Sequence, residues 1–346
     1  MTVEIDSIAK ELLGRVLEPV YSDATRNTFV GKRVLVTGAG GSIGSEIVRQ
    51  LLALGVERVI SVDRDEYALY RLDLSVNGSA LLTDEALILA DITVPAELDS
   101  VFEKWKPEIV FHAAAVKHLT LLEKSPQVAL RTNVQGTQNV VDACKVHGVK
   151  RMVNISTDKA ANPTSILGHS KRLAEMIAAE NSDSDTIISS VRFGNVFASR
   201  GSFIETIQWQ ARNNHVITIT DREVTRYFMS IPQAASLVIE STAFAESGKI
   251  YVLDMAKPVK IVDVVRRYLD AVGKDDVTIE FSGLRQGEKL HEIVYSETEK
   301  LTTTTNDKIF SIDVARNAPD LNRIIQTFAS SEPTDLRREL ARITNQ

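Results

Sequence analysis

Cysteine is nearly absent: Cys144 stands alone among 346 residues, so the chain cannot close a disulfide on itself and a reducing compartment is expected. An excess of basic residues is also missing. The formal net charge of -6 leaves no overall field to attract nucleic acid or an anionic lipid surface. Any phosphate-bearing ligand must then be held by local groups. No apolar run approaches the roughly 18 residues of a membrane span. Met1 to Lys10 carries Glu4 and Asp6 and has no apolar signal core. Together these absences lead to an expected cytoplasmic location, with no nucleic acid partner, no membrane span and no metal.

What is present is enough apolar sequence for a large core, arranged in alternation. Short apolar runs read as strands at Lys32–Val36, Val59–Val62, Ala86–Leu89, Ile109–His112, Met152–Ile155 and Thr186–Phe193. Helical segments fall between them: Glu46–Leu54, Tyr67–Leu74, Pro95–Trp105, one long helix over Pro126–His147, and one through Lys171 to about Asn181. This rhythm predicts an α/β fold, a doubly wound parallel sheet of the Rossmann type. After Asn195 it breaks into short strands at 216–220, 250–253, 277–281 and 309–312, mixed with helices at 203–212, 232–245, 261–272 and 321–330. We therefore divide the chain into an N-terminal lead-in (1–30), a dinucleotide-binding domain (31–195) and a smaller C-terminal α/β substrate-binding lid (196–346). Within the lead-in, Ile8–Leu17 reads as a short helix and Ser22–Asn27 as a polar turn. The last charged helix, Asp335–Ile343, reads as exposed.

Gly38, Gly41 and Gly44 lie between a predicted strand and a predicted helix, where glycines permit a tight turn and close backbone approach to a pyrophosphate. Ser42 and Ile43 complete that loop. Asp63 follows 19 positions after Gly44, at the end of the second strand, placed to accept hydrogen bonds from ribose hydroxyls. Its charge disfavours a 2′-phosphate and so favours NAD over NADP, although Arg64 beside it can pair with such a phosphate. Asp91 and Ile92 are placed to flank an adenine. Ala113 and Ala114 are small enough to let a cofactor lie close, or simply to pack helix on sheet.

The second cluster runs from Ser156 to Lys171. Thr157, Asp158 and Lys159 sit where a strand ends, and Lys171 follows on a helix. Open α/β sheets place their chemistry there. The alternative is a capped turn beside a solvated lysine.

These stretches resemble a known family. Gly38 to Gly44, His112-Ala-Ala-Ala-Val-Lys-His118, Ser156 to Pro163, Val191-Arg-Phe-Gly-Asn195, Thr225-Arg-Tyr-Phe-Met229 and Gly283-Leu-Arg-Gln-Gly-Glu-Lys289 are similar to motifs of nucleotide-sugar 4,6-dehydratases in the extended short-chain dehydrogenase/reductase family. Those acting on UDP-N-acetylglucosamine in polysaccharide synthesis are most alike. The likeness covers about residues 10 to 312. It implies oxidation at sugar C4 by NAD, loss of water across C5 and C6, and return of the electrons to C6. It also implies Asp158 as acid at O6, Lys159 as base at C5, Lys171 at the nicotinamide ribose and Thr157 near O4. A lysine base needs a lowered pKa, which burial or a neighbouring cation such as Lys171 would supply. The longer relatives retain the C5 configuration, and the same is expected here. Glu11-Leu-Leu-Gly-Arg15 resembles the segment before the catalytic domain of membrane-anchored members. The chain is thus expected to be a soluble homologue or the catalytic portion of a longer product.

One position departs from the pattern. The family's tyrosine, four residues before the lysine, is Leu167 here. Some longer members carry methionine there. His169 is a poor substitute, since two residues along a helix turn it roughly 200° away. Asp158, or a water held by Thr157, is the expected relay for the O4 proton. For the UDP-sugar, Arg200, Arg226 and Arg285 with Asn195 and Glu288 form a candidate diphosphate clamp. Lys117 and His118 could reach the sugar, though His118 also suits a structural role. The resemblance further implies a homo-oligomer joined through the helix beginning at Pro126 and the one through Lys171. A nucleotide-sugar 4-epimerase and a catalytically silent binding protein remain as alternatives.

Overall fold

The computed structural model describes residues 21–274, 276–314 and 333–344. Six parallel strands form first: β1 (Arg33–Thr37), β2 (Arg58–Asp63), β3 (Leu87–Leu89), β4 (Ile109–His112), β5 (Arg151–Ile155) and β6 (Ile187–Arg192). Their spatial order is β3-β2-β1-β4-β5-β6, so the direction of travel reverses between β1 and β4, where such sheets open a ligand crevice. Alternation along each strand sorts the core into two faces. Leu35, Val110, Met152 and Ile188 pack beneath the helices Pro95–Trp105, Gly136–Val146 and Ile166–Asn181. Val34, Val36, Phe111, Val153 and Val191 pack on the other face, beneath Ser42–Ala53 and Ile231–Ala243.

The boundary at residue 195 marks the end of the first six strands but not of the sheet. Ile250–Leu253 adds parallel to β6, and Ile309–Ile312 and Leu301–Thr303 then add antiparallel. The remainder of the second half forms a separate apolar cluster. There the helices Phe203–Asn213 and Ile261–Val272 cover the parallel pair Val216–Ile219 and Thr278–Phe281.

Several expectations change. Ser22–Asn27 is not a turn: Ser22 caps a helix over Asp23–Phe29, its hydroxyl accepting from Thr25 N–H at 3.2 Å, and Phe29 anchors that helix in the core. The Pro126–His147 run is helical throughout but widens to a π-helix over Leu130–Gln135. The wider turn brings Asn133 to the loop after β4, where its side chain bonds Val116 N–H at 2.9 Å and Val116 C=O at 3.0 Å. The last helix, Pro333–Thr344, is not exposed. Leu336, Leu340 and Ile343 are buried against the Ile166–Asn181 helix. That helix, expected to join two copies, is covered along nearly its whole length in this chain. The segments Ile8–Leu17, Glu11–Arg15 and Leu321–Ser330 lie outside the described residues.

Candidate active site

β1 delivers the chain to the glycine loop. Gly38 has φ +66, and a Cβ on it would lie 2.6 Å from Ala114 N. A Cβ on Gly44 would strike the Gly38 carbonyl. Gly41 precedes the helix Ser42–Ala53 without a side-chain cap, so that helix presents free N–H groups to the cavity. Asp63 at the end of β2 is partly engaged: its carboxylate accepts from Gly40 N–H at 2.9 Å and from Asp65 N–H at 3.0 Å. Arg64 turns to Asp91 at 3.5 Å instead of standing free for a phosphate. A cleft of about 170 Å³ is bounded by Gly38, Gly41, Asp63, Arg64, Asp91, Ile92, Ala113 and Ala114. A bare-backbone cradle beside an acidic strand end fits a dinucleotide.

A larger cavity of about 1080 Å³ adjoins it. Ser42, Ile43 and Gly44 line one end, and Thr157, Lys159, Leu167, Lys171 and Asn195 line its centre. Past β5, Thr157 caps a 3-10 turn over Asp158–Ala160. Asp158 is fully buried behind the wall. Its Oδ1 accepts from Thr157 Oγ1 at 2.9 Å and Lys159 Nζ at 3.0 Å, while Oδ2 has no partner. Lys159 also donates to Asn195 Oδ1 at 3.2 Å and lies 3.7 Å from Glu292.

These charges reverse one expectation. Burial alone would push the Lys159 amine down, but Asp158 and Glu292 hold its pKa above the usual lysine value, against the pull of Arg226. The amine with the lowered pKa is Lys171, pushed down to about 8 by burial, with Glu175 opposing. Lys171 sits one turn after Leu167 on the Ile166–Asn181 helix, capped by Ser165. His169 points away, as its position predicts, and bonds Thr344 at 2.7 Å. His112, at the end of β4, is held neutral between Thr37 and Thr137, its pKa pushed down to about 3 by burial and the charge on Lys171.

The proposed substrate contacts divide. Lys117, His118, Asn195 and Arg200 line the cavity. Arg200 reaches back to the glycine loop, donating to Gly40 C=O at 2.7 Å, and Lys117 donates to the Arg200 carbonyl at 2.6 Å. It thus borders the cofactor cleft as much as the sugar site. Arg226 is buried and paired with Glu288 at 2.9 Å. Arg285 is exposed and off the cavity wall; only its backbone N–H meets Glu288, at 3.2 Å.

Sequence reasoning missed Glu292, whose Oε2 is buried without a hydrogen-bond partner 3.8 Å from Lys289. It also missed a buried network behind the wall. Arg192, fully buried at the end of β6, donates twice to Glu175 at 2.7 Å and twice to Glu299 at 2.8 and 2.9 Å. Ser156 adds a bond to Glu175 at 2.6 Å. A charged residue in an otherwise apolar strand was the available signal. Gly194 carried one as well, since a Cβ there would lie 3.0 Å from Asp158 Oδ2.

Among the described residues no cluster able to hold a metal ion occurs, and no helix is long and apolar enough to cross a membrane. Comparison with known proteins follows the geometry. The capsular polysaccharide biosynthesis protein CapD of Staphylococcus aureus is 40% identical over 319 residues, 89% of this chain and 53% of that protein. The chain thus spans about half the length of this relative. A UDP-N-acetylglucosamine 4,6-dehydratase (inverting) of Campylobacter jejuni is 29% identical over 290 residues, 82% of this chain and 83% of that one. Among solved structures, Pen from Bacillus thuringiensis superposes with a TM-score of 0.76 at 29% identity, covering 88% of this chain and 99% of that one. The family model described as polysaccharide biosynthesis protein matches residues 34–314, and the chain belongs to that family.

Proposed function

We propose that this protein is an NAD-dependent nucleotide-sugar 4,6-dehydratase acting on UDP-N-acetylglucosamine. The observation that carries the proposal is the Asp158–Lys159 pair, 3.0 Å apart at the end of β5 on the wall of a cavity that runs to the glycine loop. Elimination of water from a 4-keto sugar needs an acid at O6 and a base at C5. A buried carboxylate–ammonium pair supplies both when one proton shifts, leaving it on Asp158 and a lone pair on Lys159. A 4-epimerase needs no such pair.

NAD, when bound, supplies the reversible two-electron acceptor. Gly38, Gly41 and the N-terminus of the Ser42–Ala53 helix would hold its pyrophosphate, and Asp63 a ribose. Thr157 fixes the Asp158 carboxylate, and Asn195 fixes the Lys159 amine. Arg226 and Glu288 brace the lid side, and Lys117, His118 and Arg200 close the rim.

Incubation with UDP-N-acetylglucosamine in deuterated water, followed by NMR, tests this. The expected product is a 6-deoxy-4-keto sugar carrying solvent deuterium at C5, whose configuration the same spectrum reports. UDP-N-acetylgalactosamine would instead establish an epimerase. No turnover with retained binding would establish a silent binder.

A further inference from the structure

Oxidation of a sugar alcohol at C4 requires an acceptor for the hydroxyl proton, and Leu167 has none to offer. Asp158 is badly placed for the task. It is fully buried behind the cavity wall, its Oδ1 is taken by Thr157 and Lys159, and its Oδ2 faces Gly194. Thr157 has its own proton committed to Asp158. Among the other lysines on the wall, Lys159 is held by Asp158 and Glu292, Lys117 is bonded to the Arg200 carbonyl, and Lys124 is exposed. Lys171 differs from all of these. It is buried, lines the cavity beside Leu167, and makes no hydrogen bond or ion pair among the described residues.

We propose that Lys171 is itself the base that takes the proton from the C4 hydroxyl, using the space a leucine leaves beside it. This rests on the dehydratase function proposed above. In the step the O–H bond breaks and its proton binds the Nζ lone pair. The electron pair and proton of the C4–H bond pass to oxidised NAD, and a C4 ketone and a lysine ammonium remain. Over a full dehydration Lys171 gains one proton and Asp158 gives one to the departing hydroxyl; exchange with water in the cavity restores both.

The surroundings favour a neutral amine. Glu175, one turn further along the same helix, is the only carboxylate that pulls Lys171 toward its charged form. That carboxylate is already saturated by Arg192, Arg172 and Ser156. From β4 the facing group is His112, uncharged between two threonines, and from the end of β5 it is the cationic Lys159. Burial does the rest.

Two measurements test this. In lysine-labelled protein without added sugar, the Lys171 resonance, assigned by its loss in Lys171→Arg, should titrate near pH 8. Titration at the ordinary lysine value of about 10.4 overturns the proposal. In a single turnover with UDP-N-acetylglucosamine, reduction of bound NAD should speed up with pH through that same ionisation. Lys171→Arg keeps a cation but cannot accept a proton; it should slow reduction by about 10²–10⁴-fold and abolish the alkaline rise, while sugar binding by calorimetry is retained. Adding Leu167→Tyr to Lys171→Arg should restore at least part of the rate through a phenol beside the guanidinium. A Lys171→Arg variant with an unchanged rate and pH profile shows that Lys171 only positions, and overturns this role while leaving the dehydratase intact. Absence of NAD reduction in the unmodified protein overturns both.

Discussion

On either side of the end of β5 the backbone carries a buried charge cluster, and the two are built differently. In one, Arg192 is surrounded by Glu175 and Glu299, with Arg172 and Ser156 filling the remaining acceptor sites. In the other, Asp158, Lys159 and Glu292 share contacts of 3.0 and 3.7 Å, yet an oxygen on each carboxylate lacks a hydrogen-bond partner. Saturated charges in a low-dielectric interior are fixed. Unsaturated ones keep the capacity to bind a hydroxyl or exchange a proton. The first cluster joins β5, β6 and the Lys171 helix to the Glu299 segment. The second opens through Lys159 onto the cavity.

Breaking the saturated cluster should have the largest effect. Arg192→Met leaves two carboxylates buried without their main cation and should cost about 3–5 kcal/mol in urea unfolding. Asp158→Asn should do the opposite: stability should change by about 1 kcal/mol or less, because Lys159 keeps Glu292, while dehydration falls about 10²–10⁴-fold. Comparable stability losses in the two variants would erase the distinction. His112 gives a smaller, pH-dependent difference. Its folded pKa of about 3 lies below the ordinary 6.5, so the unfolded chain binds the extra proton first and stability should fall as pH drops through that interval. His112→Asn should lose this part of the slope in denaturation midpoints measured against pH. The smallest effect is expected at the rim. Arg200→Ala removes one bond to the glycine loop and should weaken dinucleotide binding by about 1 kcal/mol, measured by calorimetry.

The sheet was legible because apolar alternation and strand–helix rhythm are local properties. β4 spans Ile109–His112 as read, and the glycine loop falls between β1 and its helix. The 3-10 turn carrying Asp158 and Lys159 was legible as a strand end. What escaped was assembled from distant pieces. Arg192 and Glu299 are 107 positions apart, and no periodicity links them. The state of Lys159 depends on Glu292, which lies far downstream in an irregular stretch. Exposure of the last helix was misjudged because its charges dominate its composition, whereas Leu336, Leu340 and Ile343 share one face.

The late strands of the sheet bear on how the protein is made. During synthesis β6 emerges with an open edge, and its neighbour Ile250–Leu253 arrives only after the first lid segments have been translated. The antiparallel pair that finishes the sheet comes later still, from Leu301–Thr303 and Ile309–Ile312. A nascent chain stalled between these points would display a bare hydrogen-bonding edge on an otherwise folded nucleotide-binding half, the kind of surface on which chains aggregate and chaperones act.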